Sequence, residues 1–292
     1  MRINKRYKLK MKKIYNCCIN VELGKLRYMK SFNSRLSEIV KNKKSCLCVG
    51  LDMNPDAFGG NSLKNLKEHT FKVIDATREF AVAYKPNFAF FERWGAAGFA
   101  WLEETVLYIG DDHIKIADAK RGDIGNTAEQ YAESIFKHFG FDSVTINPYL
   151  GEDSIRPFIN DTKKGVFILC RTSNPSAKDL QNKLIEGKPL YYEVAMLAKN
   201  LNKFDNIGLV VGATASEELS QIRSIVPDLP LLIPGIGAQG GDLEHSVQVS
   251  NNTGVGLINV SRAISFAEKM TLSDIHNAAK KYHQNIKMVL EK

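Results

Sequence analysis

No stretch of this 292-residue sequence stays apolar for the roughly 18 residues that a helix needs to span a bilayer. The N-terminus also lacks the continuous apolar segment that follows the basic residues of a secretory signal. Cysteine is scarce, with five residues at Cys17, Cys18, Cys46, Cys48 and Cys170. Cys46 and Cys48 are too close for the usual zinc pair, and no His cluster follows them. The last three lie in apolar runs and read as reduced core thiols of a cytoplasmic protein. Low-complexity tracts and domain-boundary linkers are missing as well. Acids are nearly absent from residues 1–30, where ten Lys or Arg face only Glu22. That segment supplies +9 of a formal net charge of +8, so the other 262 residues sum to −1. The basic balance therefore predicts no nucleic-acid partner for the rest of the chain. Residues 1–30 read as a disordered basic extension or an over-long start ahead of Met29. A mitochondrial transit peptide is the other reading, but such peptides favour Ser, and none precedes Ser31.

What the sequence does have, from residue 31 to 292, is a regular alternation. Eight short apolar runs recur: Cys46–Leu51, Phe80–Tyr84, His113–Ala117, Ser143–Ile146, Gly165–Cys170, Ile207–Val211, Leu229–Ile233 and Gly254–Ile258. Between them lie segments with apolar residues at three- and four-residue spacing, such as Leu63–Phe80, Thr127–Phe139 and Tyr191–Leu201. Runs that are apolar throughout suit strands buried on both faces of a parallel sheet. Eight such units predict a single (β/α)₈ TIM barrel.

Polar and flexible residues gather just after the runs, where barrel enzymes place their active sites. Asp52, Lys85, Asp118 with Lys120, Asn147, Arg171-Thr172-Ser173, Gly212 and Asn259-Val-Ser-Arg262 all fall there. The sharpest segment is Ile114–Thr127, IKIADAKRGDIGNT. Side-chain alternation puts Ile116, Asp118 and Lys120 on one face, pointing to the barrel's upper interior. Asp123 falls in the following turn, and Thr127 suits the start of the next helix. Buried charges need partners, so Lys85, Asp118, Lys120 and Asp123 read as one compensated array. Lys120 between two carboxylates is held as an ammonium, a proton source for a carbon that becomes basic. The seventh run is followed by Gly235-Ile-Gly-Ala-Gln-Gly240. No acid near position 260 supports a dinucleotide site. The loop reads as a phosphate cradle completed by Gln239 and Arg262, or as glycines that permit a tight turn. Arg171–Pro175 offers groups for a flat hydrogen-bonding ring, or is a plain polar turn. The long Ser173–Asn206 connection has room for a lid.

Gly50-Leu51-Asp52, Lys85-Pro-Asn-Phe88, Asp118-Ala-Lys120-Arg-Gly-Asp123-Ile-Gly-Asn-Thr127 and Pro234–Gly241 together resemble orotidine 5′-phosphate decarboxylases, closest to a longer bacterial branch. The resemblance covers about residues 31–290. It implies a homodimeric barrel that turns orotidine 5′-phosphate into uridine 5′-phosphate in pyrimidine synthesis, with no metal and no organic cofactor. By position, Lys120 resembles the proton donor to C6 and Asp118 the carboxylate facing the substrate's own. Lys85 completes the array. Asp123 and Thr127 resemble residues that enter the neighbouring subunit's site. Asp52 is implied at the ribose, Ser173 at the pyrimidine edge, and Gln239, Gly240 and Arg262 at the phosphate. The basic leader has no counterpart. Two rivals remain. A related Mg²⁺-dependent sugar-phosphate barrel would want a carboxylate near position 85, where Lys85 stands. A binding-only barrel would not need the charged array.

Overall fold

A computed structural model describes residues 30–292 apart from 59, 61, 238 and 239. The leader, except Lys30, therefore lies outside the described residues, as does Gln239. Eight parallel strands form the barrel: β1 Leu47–Leu51, β2 Ala83–Pro86, β3 Ile114–Arg121, β4 Ser143–Ile146, β5 Gly165–Arg171, β6 Ile207–Val211, β7 Leu231–Ile233 and β8 Gly256–Val260. Each pairs with the next in sequence, and β8 closes on β1 through Leu47 opposite Ile258. The predicted TIM barrel is present, with all eight runs as strands. The largest boundary difference is at the end of β3, which runs four residues past Ala117 to Arg121, and the largest at a strand start is at β2, predicted to begin at Phe80. There the amides of Phe80 and Ala81 bond to Thr77 O and finish the preceding helix, so the strand begins later and Lys85 lies within it.

The larger flanking helices are α1 Phe32–Lys43, α2 Leu63–Thr77, α3 Gly95–Ile109, α4 Gly125–Glu133, α5 Leu190–Leu201, α6 Ser216–Ile225, α7 Leu243–Ser250 and α8 Leu272–Leu290. Helix α1 starts at Ser31, whose hydroxyl caps Ser34 N, and ends with Lys41 and Lys43 at its negative terminus. Its Phe32 and Leu36 enter the barrel floor beside Cys48, Ile114, Ile116, Phe167, Val210, Leu232 and Leu257. Side chains of this size stabilise by about 1.5–3 kcal/mol each when buried. A second apolar layer, including Val49, Ile74, Trp101, Val144 and Leu209, lies between strands and helices. Helix α8 is fixed by a capping box between Thr271 and Asp274.

The Ser173–Asn206 connection is less loose than its length suggests. It holds a short 3₁₀ turn, Pro175–Asp179, and a two-stranded hairpin, Leu184–Ile185 against Lys188–Pro189, and then α5. The hairpin turns on Glu186 and Gly187 with φ of 51° and 81°, the conformation that two-residue loops favour. Among the described residues, no helix is long and apolar enough to cross a membrane.

Candidate active site

The mouth of the barrel is dominated by one carboxylate. Pairing of β1 with β2 sets Gly50 beside Lys85, and an isolated bridge sets Asn87 beside Asp118. These registers bring Lys85 and Asp118 to the same level. Lys85 Nζ donates to Asp118 Oδ2 at 2.5 Å, and Lys120 Nζ donates to Oδ1 at 2.5 Å. The side chains of Lys85 and Asp118 are 5% and 11% exposed, whereas that of Lys120 is 50% exposed. Burial alone would lower the Lys85 pKa, but Asp118 and then Asp52 outweigh it and hold the ammonium above its ordinary 10.5. Burial likewise works against the Asp118 carboxylate. The two lysine charges win and hold it well below 3.8. The lowest layer of the site includes Cys48, whose thiol burial pushes up to about 12, an inert neighbour rather than a nucleophile.

The array thus differs from the expected arrangement. Within the protomer it is a carboxylate between two ammoniums, not a lysine between two carboxylates. Asp123 points elsewhere and accepts only from Ile124 N at 2.8 Å among the described residues. Thr127 does not cap its helix. Helix α4 begins two residues earlier at Gly125, with no side-chain cap at Ile124, and leaves Thr127 exposed in its first turn. Simple alternation also fails along β3. Its pairing with β4 jumps between Ala117 and Arg121, and Lys120 takes a left-handed φ of 45°. A left-handed non-glycine residue costs on the order of 1–3 kcal/mol, so the surroundings must hold it. Thr145 of β4 does part of this. It accepts from Lys120 N at 3.0 Å and donates to Asp118 Oδ1 at 3.2 Å. Nothing in the apolar run Ser143–Ile146 marked that hydroxyl out. Arg121 is wedged between the Phe88 and Tyr131 rings, 5.1 and 5.0 Å from their centroids, and pairs with Glu92 at 2.9 Å.

Asp52 follows β1 and is half-buried, with Oδ1 buried and unpartnered among the described residues. A buried polar atom without a partner calls for a ligand or water. On the opposite lip, Arg171 is committed to Glu218 and to Thr172 O. Gln181 pins Thr172 twice, through its amide N–H and hydroxyl. Gly212 lets β6 approach this turn, because a Cβ there would lie 2.8 Å from Ser173. Gly235 and Gly237 have φ of 102° and 80°, and the amides of Gly240 and Gly241 return to the carbonyls of Gly237 and Gly235. A Cβ on Gly237 would also meet the Tyr282 hydroxyl at 2.9 Å. Arg262 begins a short helix beyond β8, exposed and without an ion pair among the described residues. Ser261 and Ser265, just beyond β8, bond to Gly50 O and tie the β8 side of the mouth to the Asp52 side.

The model of the orotidine 5′-phosphate decarboxylase / HUMPS family matches residues 45–273, from β1 to the start of α8. The chain belongs to this family. Orotidine 5′-phosphate decarboxylase of Halorubrum lacusprofundi is 48% identical over 250 residues, 81% of this chain and 88% of that protein. The decarboxylase of Christiangramia forsetii is 42% identical over 262 residues, 87% and 96% of the two chains. Among solved structures, Leishmania donovani OMP decarboxylase superposes with a TM-score of 0.81 at 38% identity. That match covers 90% of this chain and all of that one. The family match spans every strand that contributes to the array.

Proposed function

We propose that this chain decarboxylates orotidine 5′-phosphate to uridine 5′-phosphate, the pyrimidine-synthesis activity that its relatives' names carry, with Lys120 as the proton donor. The observation that carries this reading is the buried Asp118 held between Lys85 and Lys120. The substrate's carboxylate would meet Asp118, and two like charges about 4 Å apart repel by roughly 4 kcal/mol at an effective dielectric near 20. The bond from C6 to the carboxylate breaks, CO₂ leaves neutral, and the electron pair stays on C6. The Lys120 ammonium stabilises that charge in place and then delivers its proton to C6. Lys120 regains a proton from solvent, which its half-exposed position allows. Asp52 would hold the ribose, Ser173 the pyrimidine edge, and Gln239, Gly240 and Arg262 the phosphate. Neither metal nor organic cofactor enters these steps. A Mg²⁺-dependent sugar-phosphate reaction is disfavoured because Lys85 takes the Asp118 oxygen that a cation would need.

A homodimer with a shared site accounts for Asp123, which pairs with no lysine of its own protomer among the described residues, and for exposed Ile124, Tyr149 and Leu150 nearby. Free, buried Cys46, Cys48 and Cys170 fit a reducing, cytoplasmic setting. The test is to incubate EDTA-treated protein with orotidine 5′-monophosphate and follow the ultraviolet change. Conversion without metal is expected, and a folded but inactive protein would overturn the reading. The same preparation should sediment as a dimer; an active monomer would remove the shared site. Recovery of the native protein from a secreted or membrane fraction would oppose the cytoplasmic placement.

A further inference from the structure

Where β3 loses register with β4, three residues of β3, Asp118, Ala119 and Lys120, stand against Thr145 alone. Such a bulge leaves backbone groups without ladder partners, and here the unpaired donor is the amide of the lysine that carries the chemistry. Thr145 is 2% exposed, and its hydroxyl fills the gap. The sense of both bonds follows from chemistry. A backbone N–H only donates, so Thr145 Oγ1 accepts from Lys120 N at 3.0 Å. Its single hydrogen is then left for Asp118 Oδ1 at 3.2 Å. That oxygen also receives Lys120 Nζ at 2.5 Å. The four groups close a ring: Lys120 amide, Thr145 hydroxyl, Asp118 carboxylate and Lys120 ammonium. Asp118 Oδ2 is meanwhile held by Lys85.

We infer that Thr145 is a positioning residue that holds the backbone of Lys120 in its left-handed conformation and so aims the ammonium; the inference rests on Lys120 being the proton donor. Lys120 has a long, half-exposed side chain, and its φ of 45° is one the chain would leave if released. Thr145 touches neither substrate phosphate nor ring in this assignment. Its loss should therefore act on the reacting step and leave anchoring alone.

The experiment compares wild type, Thr145→Val and Thr145→Ser in the orotidine 5′-monophosphate assay, reading kcat and KM separately. Val keeps the shape and removes the hydroxyl. A fall in kcat of tenfold or more is expected, with KM changed by less than about threefold. Ser restores the hydroxyl and should recover kcat to within about threefold of wild type. Wild-type kcat in Thr145→Val overturns the inference. So does a Ser variant as slow as Val, because the methyl group, not the bond, would then matter. If Thr145→Val does not fold, Thr145→Ala carries the same comparison against Ser. An inactive wild type would instead sink the decarboxylase reading itself, which separates the two failures.

Discussion

The two sides of the barrel mouth are built in opposite ways. At the β2–β3–β4 corner, Asp118 spends both oxygens on lysines and one again on Thr145, in surroundings that are largely closed to water. On the β7–β8 side, the loop is glycine-rich, with positive φ at Gly235, Gly237 and Gly240, and Arg262 is exposed and unpaired among the described residues. One corner pairs its charges within the protomer, and the other leaves Arg262 exposed. That division suits an enzyme whose rate comes from preorganised charge and whose affinity comes from a remote phosphate.

Lys120→Ala should separate the two sides most sharply. Turnover is expected to fall by about 10²–10⁴-fold, the range for loss of a general acid, while the fold survives because the side chain is half exposed. Substantial residual activity in a steady-state assay would remove Lys120 as the donor. Asp118→Asn tests the closed corner as structure. It leaves the buried Lys85 without its main partner, at a cost of about 3–5 kcal/mol for breaking a buried pair. The pH dependence should change with it. In the wild type Asp118 is depressed from 3.8, so its contribution is complete above that value and lost only as pH falls through the lowered one. Lys85 is raised from 10.5, so its contribution is complete below that value and lost only as pH rises through the raised one. Neither gives a slope between. In the Asn variant burial outweighs the lost attraction, and stability should climb with pH toward 10.5. Denaturant titrations across pH check this, and a flat profile would show that Lys85 does not lean on Asp118. The smallest effect is expected on the open side. Arg262→Ala should raise KM by about 10–100-fold, the worth of a charged hydrogen bond, with kcat little changed. An unchanged KM would take Arg262 out of the phosphate site.

How much of this was written in the sequence depended on period and on charge. The eight apolar runs gave the barrel, because strands buried on both faces leave a signature that survives errors of up to four residues at their ends. Asp118 and Lys120 stood out because charges at the end of an apolar strand demand compensation. The bulge was not legible: its cause lies in the match between β3 and β4, and the one residue that reports it, Thr145, sits in a run that reads as plain core. Thr127 was misplaced for a related reason. A capping residue is recognised by its side chain, and this helix starts at Gly125 without one. Whether Arg171–Pro175 faces a ring or is a plain polar turn stayed open in the sequence, because Glu218, which pairs with Arg171, lies 47 positions away on another unit.

The seam between β1 and β8 has a consequence for how the enzyme comes into being. Cys48 and Asn259 meet across it from 211 positions apart, so the ring closes only when the last strand has been made. Contacts of such long range form late and slowly. A growing chain therefore bears Lys85, Asp118 and Lys120 long before it can close the barrel that carries them.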